Sequence, residues 1–189
     1  FNGLLFTVGG DERQWGSQFW IWNTELLYFP LLASGGFDLL DPYFDMFTRM
    51  LPACEVAARQ RWGLPGAFYP ETVAFNGPLE LPKDVAAEFR EVILGRKHKD
   101  ELSPRAREHG QFCSQLRAVK EARANGRYTW ISHIVSSGAE LALQFWWRYR
   151  YTGDGEWLRT RAYPLLRAVA EFYCHLAGKE QDGRYHLRG

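Results

Sequence analysis

The sequence predicts an all-α protein of stacked αα-hairpins that curl into an inner and an outer ring, part of an αα-toroid. Two observations carry that expectation. A unit of helix, tight Gly turn and Pro-containing amphipathic helix occurs twice, once in each half of the chain. The first helix of each unit is apolar almost all round, as a doubly covered inner layer requires. The second is one-sided, as an outer layer requires. Two clear pairs, with a possible third in the polar middle, are too few to close a ring.

The elements follow in order. Phe1 to Gly16 holds short apolar pieces broken by Gly9-Gly10 and Gly16, a loop or strand entry. Phe19 to Ala33 has a helical pattern, stopped by Ser34-Gly35-Gly36, residues that tolerate positive φ. Asp41-Pro42 reads as an N-cap followed by Pro at the first helical position. The helix it opens runs to about Trp62, with Phe44, Phe47, Met50, Leu51, Cys54 and Ala58 on one face and Pro52 as a bend. Gly63-Leu64-Pro65-Gly66 ends it. Phe68 to Leu81 is an irregular excursion. Pro82 opens a polar helix to about Leu94, and Arg96 to Arg107 reads as a solvated charged loop, with a binding role as the alternative. A helix from about Pro104 to Ala124 ends at Asn125-Gly126. In the second half, an aromatic-rich helix from about Thr129 to Tyr149 breaks at Thr152-Gly153. Asp154 caps the next, with Pro164 inside it and Leu158, Leu165, Leu166, Val169, Phe172, Tyr173 and Leu176 as its buried stripe. Asp182 to Gly189 reads as a turn leading into an extended segment.

Composition bounds the function. The 189 residues suffice for one substantial core, and 46% hydrophobic with 24% charged residues is ordinary for a globular protein. A net charge of +1 offers no electrostatic case for nucleic acid or an anionic membrane. No apolar run reaches the ~18–20 residues of a membrane span. Cys54, Cys113 and Cys174 are widely spaced and read as buried small apolar residues on helices, with no metal or disulfide signature. The sequence implies no cofactor. The chain opens without an initiator Met and both ends read as cut, so residues 1–189 are expected to be a piece of a larger toroid domain. Its remaining hairpins are then expected partners.

The unusual feature is the aromatic content, 16% with 8 Trp. It concentrates in Trp20-Ile21-Trp22-Asn23-Thr24-Glu25-Leu26-Leu27-Tyr28-Phe29-Pro30, where an amide and a carboxylate sit among rings. Aromatic faces stack on sugar C–H bonds, and Asn and Glu grip hydroxyls, so a carbohydrate site is the functional reading. An aromatic-rich core helix is the bland one. In an αα-toroid such groups belong to the rim where inner helices begin, which makes Trp20, Trp22, Asn23 and Glu25 candidates. Glu25 accepts from hydroxyls or acts as a base if buried; alternatively it pairs with a basic residue such as Arg13. Glu71, after two aromatics in Phe68-Tyr69-Pro70-Glu71, is a second rim candidate, or else a helix N-terminal residue or surface acid. Trp130, Ser132, His133 and Ser136-Ser137-Gly138 through Glu140 on the second inner helix form a third group, with Glu140 and Gln144 on one face at i,i+4. His133 alone is also readable as a satisfied core or rim histidine. A phosphate loop, a zinc spacing and a serine nucleophile elbow are absent.

These residues resemble the six-hairpin (α/α)6 toroid glycosidases. Phe19-Trp20-Ile21-Trp22-Asn23-Thr24-Glu25 with Pro30 is similar to the Trp-Asp-Thr-Glu…Pro segment of glycoside hydrolase family 65, and Gly66 to Glu71 to that family's Gly-Ala-x-x-Pro stretch. Tyr149 to Asp154, Leu158, Ala162 to Leu166 and Phe172 resemble family 95, as do Asn2 to Thr7 and Arg13 to Gly16 in its uncharacterised bacterial relatives. Asn23 matches the second of two water-orienting Asn residues of family 95, and Ile21 stands in place of the first. The resemblance implies a glycan substrate and hydrolysis by two carboxylates with inversion. It places the general acid just beyond Gly189, so the catalytic residues are not assigned and the piece alone is expected to be inactive. A family 65-type disaccharide phosphorylase and a noncatalytic carbohydrate-binding toroid are the alternatives. The compartment is not set by the sequence, and the resemblance is compatible with an extracytoplasmic one in bacteria.

Overall fold

A computed structural model describes residues 19–73, 76–113 and 134–187. Its elements are β1 (Phe19–Trp20), α1 (Ile21–Ser34), α2 (Phe37–Ala57), β2 (Thr72–Val73), α3 (Lys83–Ile93), α4 (Pro104–Cys113), α5 (Ser136–Thr152), the single turn α6 (Gly155–Trp157), α7 (Tyr163–Leu176), β3 (Ala177–Lys179) and β4 (Tyr185–Leu187). Two π-helical turns, Ala58–Trp62 and Leu158–Ala162, extend α2 and lead into α7. The fold is all-α, a partial toroid in which the hairpins α1–α2 and α5–α7 stack side by side. The inner helices α1 and α5 run parallel, because early residues of one meet early residues of the other and late ones meet late. Glu25 is bonded to Gln144, and Phe29 packs edge-on against Trp147 with ring centroids 5.3 Å apart.

Hydrophobic spacing makes the core. Leu40, Tyr43, Phe44, Phe47, Met50, Cys54 and Ala57 form one buried stripe of α2. It meets Leu141 and Phe145 of α5 and Leu165 and Val169 of α7. Phe44 is the hub, edge-on to Phe145 at 4.7 Å and to Trp157 at 5.3 Å. Arg148 stacks its guanidinium 4.2 Å over the Trp157 ring and reaches Asp41 at 3.2 Å, and Arg161 bonds Asp45, so charge also ties the hairpins together. A second small core, Leu81, Val85, Ala86, Phe89, Leu102 and Ala106, unites α3 with α4. It is anchored to α2 through Gln60, whose amide pairs with both backbone groups of Leu81, and through Arg90 on the carbonyls of Arg59 and Gln60.

Several expectations change. The second helix begins at Phe37 after Gly36, so Asp41-Pro42 lies inside α2 and is not its cap; packing of Leu40, Tyr43 and Phe44 outweighs the lost Pro42 N–H. The charged stretch 96–107 is no simple loop: Lys99–Glu101 forms a 3₁₀ turn and α4 starts at Pro104. Pro164 lies inside a continuous helical run, as expected, and directly follows the π turn Leu158–Ala162. Cys174 is exposed, since it lies two residues past Phe172 and opposite the buried stripe; Cys54 is buried. The inner helices are covered on one side only among the described residues, leaving Trp22, Leu26, Leu27, Leu143 and Trp146 exposed. No described helix is long and apolar enough to cross a membrane.

The connection from α2 back to the rim passes closely over α7. Ala67 N–H donates to the Ala168 carbonyl at 2.9 Å, and Phe68 N–H to that of Cys54 at 3.0 Å. Gly66 makes this possible: its φ is +84°, and a Cβ there would lie 2.3 Å from Phe172 N and 2.4 Å from Ala168 O. Gly66→Ala is therefore expected to destabilise the protein by about 3 kcal/mol or more in urea unfolding. A loss below about 1 kcal/mol would show that the loop shifts freely away from α7.

Candidate functional site

The antiparallel pairing of β1 with β2, Phe19 opposite Val73 and Trp20 opposite Thr72, brings the irregular excursion back to the start of α1. Glu71 thereby faces the first turns of both inner helices. Its carbonyl accepts Ile21 N–H at 3.0 Å, its Oε1 accepts Trp22 N–H at 3.0 Å, and its Oε2 accepts the Ser137 hydroxyl at 2.9 Å. At 5% exposure this carboxylate caps α1 from another segment and fastens it to α5. The alternative reading of Glu71 as a helix N-terminal residue or a surface acid does not hold: it lies in a bend before β2 and is buried, and it reaches the helix ends from a distant segment.

One turn deeper lies Glu25, 8% exposed. Its Oε2 accepts the Gln144 amide N–H at 2.7 Å, and Gln144 Oε1 accepts the Tyr43 hydroxyl at 2.6 Å. An ionised Glu25 can only accept, so it selects the N–H end of Gln144 and leaves the amide oxygen for the Tyr43 hydroxyl. This chain links α1, α5 and α2. Glu140, one turn before Gln144, is half-buried and close enough to act electrostatically on both Glu25 and Glu71. Burial, then the negative charge of Glu140, pushes Glu25 up to about 7; the Gln144 bond opposes this and Glu71 adds to it. Glu71 is raised by burial, against which its Ser137 and Trp22 bonds pull down, with Glu140 again raising it. A buried carboxylate near neutrality, as Glu25 is, is suited to proton exchange or to gripping hydroxyls.

Glu25, Glu71 and Glu140 come together at one rim, at the N-terminal ends of two parallel inner helices. Trp22 belongs to the same turn and is 59% exposed, so its ring is free of the core and open to a ligand. The backbone of Trp20 and Asn23 is placed in β1 and α1, while their side chains lie outside the described residues, as do His133 and Arg13. Among the described residues no group of three His, Cys, Asp or Glu could hold a metal ion. Ser137 belongs to the third candidate group of the sequence, whereas Tyr43 is a contributor that the sequence does not single out as a site residue. A hydroxyl on the buried stripe of an outer helix is the one signal that could have marked Tyr43.

Stacked hairpins, parallel inner helices and an acidic rim with an open tryptophan define a glycosidase-like αα-toroid. Comparison with known proteins agrees: residues 101–188 match the glycosyl hydrolase family 95 catalytic domain, a span that contains Ser137, Glu140 and Gln144. Residues 101–188 are accordingly similar to part of a family 95 glycoside hydrolase domain. A 49-residue stretch is 37% identical to the kojibiose hydrolase of Flavobacterium johnsoniae, covering 26% of this chain and 7% of that protein. The likeness to family 65 is confined to that short stretch and favours no phosphorylase. No solved structure matches the chain.

The acid cluster has a measurable signature. Glu25 binds its proton more tightly folded (about 7) than its ordinary value of 4.5 allows unfolded. Its contribution to stability is present below pH ~4.5 and is lost as pH rises through ~7. Glu25→Gln keeps an acceptor for Gln144 and is expected to remove this decline, making the variant the more stable protein at pH 8 and about equal at pH 4.5. Urea unfolding across that range checks it, and parallel wild-type and variant profiles would refute the assignment.

Proposed function

We propose that residues 1–189 form part of an (α/α)6 toroid catalytic domain and supply the substrate-binding wall of a glycoside hydrolase. The observation that carries this reading is the rim itself: two buried carboxylates bridging the starts of parallel inner helices beside an exposed Trp22. Trp22 offers its face to sugar C–H bonds, and Trp20 is a second candidate for such stacking. Asn23 orients a hydroxyl or water. Glu140, which has no hydrogen-bond partner among the described residues, reaches for sugar hydroxyls, with Glu25 as a second acceptor that also donates when protonated. Glu71 shapes the rim by holding the helices, and His133 is a further candidate sugar contact.

The reaction we assign to the whole domain is hydrolysis by two carboxylates, with a water between them and inversion at the anomeric carbon. Neither carboxylate is among the candidates here; the general acid lies after Gly189 in this reading, as the family resemblance implies. The isolated chain should then bind glycan without turning it over. The exposed faces of α1 and α5 are where further hairpins of the domain would pack.

Isothermal titration with kojibiose and with a fucosylated oligosaccharide tests the wall. Trp22→Ala is expected to weaken binding of the preferred sugar about tenfold, near 1.4 kcal/mol, and Glu140→Gln by several-fold. Affinities unchanged in both variants would remove the site from this rim.

A further inference from the structure

The second inner helix lacks an ordinary cap. Val135 precedes α5 and has no side chain able to accept the free N–H groups of its first turn. Tyr173, on the outer helix α7, reaches in instead. Its hydroxyl donates to the Val135 carbonyl and accepts Ala139 N–H at 3.2 Å, so one phenol oxygen bridges the two backbone groups that form the first i→i+4 pair of α5. The ring packs beside Gly138, where a Cβ would stand in ordinary contact, 3.4 Å from the phenol oxygen and 3.7 Å from Val169 Cγ1. Ser137, the donor to Glu71 Oε2, lies within that bridged turn, and Glu140 follows it directly.

We infer that Tyr173 is a positioning residue of the rim: its hydroxyl sets the first turn of α5 and thereby where Ser137 meets Glu71. It touches neither Glu71 nor the rim face that carries Trp22. Burial, with Glu140 adding, pushes the phenol up to about 12 against the pull of the Ala139 bond, so it stays a donor around neutral pH. The inner ring is in this way adjusted from the outer ring through one hydroxyl. This inference rests on the sugar-wall reading only for its effect on ligand binding.

The test compares Tyr173→Phe, which keeps the ring and its packing, with Ser137→Ala in the full chain. Three readouts are taken: titration of the Glu71 side-chain carbon by NMR, urea unfolding, and kojibiose affinity by calorimetry. Both variants are expected to move the Glu71 titration upward, because each weakens a bond to its charged form, and to weaken kojibiose about three- to tenfold. Tyr173→Phe that lowers stability yet leaves the Glu71 titration at its wild-type position, while Ser137→Ala moves it, overturns the inference and makes Tyr173 purely structural. An unmoved Glu71 in both variants overturns it as well. A shifted Glu71 in both with unchanged kojibiose affinity upholds the positioning role and counts against the sugar wall.

Discussion

The structure turns on the carboxylate of Glu71. Two helices that enter a common rim in parallel present unpaired N–H groups and partial positive charge at the same place, and something must answer both. Glu71 does so from a loop: one oxygen takes a backbone N–H of α1, the other takes the hydroxyl of α5, and its own carbonyl takes the first helical N–H. The loop is delivered there by Gly66, which lets the chain pass against the backbone of α7, and by the short β1–β2 pairing. Remove this contact and the first turns of the inner helices lose their junction at the rim, leaving the Glu25–Gln144 bond one turn deeper.

That arrangement explains why acids gather where burial should repel them. Glu25 and Glu71 are desolvated and feel Glu140, yet each keeps designated hydrogen-bond donors, and the helix N-termini offset part of the charge. The same donors hold the carboxylates in register with the first turns of the helices, where Trp22 leaves the core. Packing of the hairpins through Phe44, Phe145 and Trp157 supplies rigidity below, and the polar junction supplies geometry above. A glycan wall needs both: a stiff ring face and acceptors that do not wander.

Much of this was legible in the sequence because it is local. The inner and outer periodicities, the Gly63 and Gly153 stops, the Asp154 cap on Trp157 N–H at 2.9 Å and the acids Glu25, Glu71 and Glu140 all follow from short-range rules. The start of α2 was misread because Asp41-Pro42 imitates a cap, and only tertiary packing shows the helix already running. The π turns left no pattern to detect. The partners of the acids were hidden for a different reason: Gln144 lies 119 residues from Glu25, Ser137 lies 66 from Glu71, and Tyr173 lies 38 from Val135. Periodicity places each side chain on a face, while the stacking of hairpins decides which faces meet.

The central claim is that Glu71 and Ser137 couple the two inner helices directly. A double-mutant cycle of Glu71→Gln and Ser137→Ala, read by urea unfolding at pH 8, measures it. The account requires a coupling of about 1–2 kcal/mol, the value of a buried hydrogen bond to a charged acceptor. Strictly additive losses would mean that the inner helices are joined by other contacts and that the rim geometry is not set by this bond.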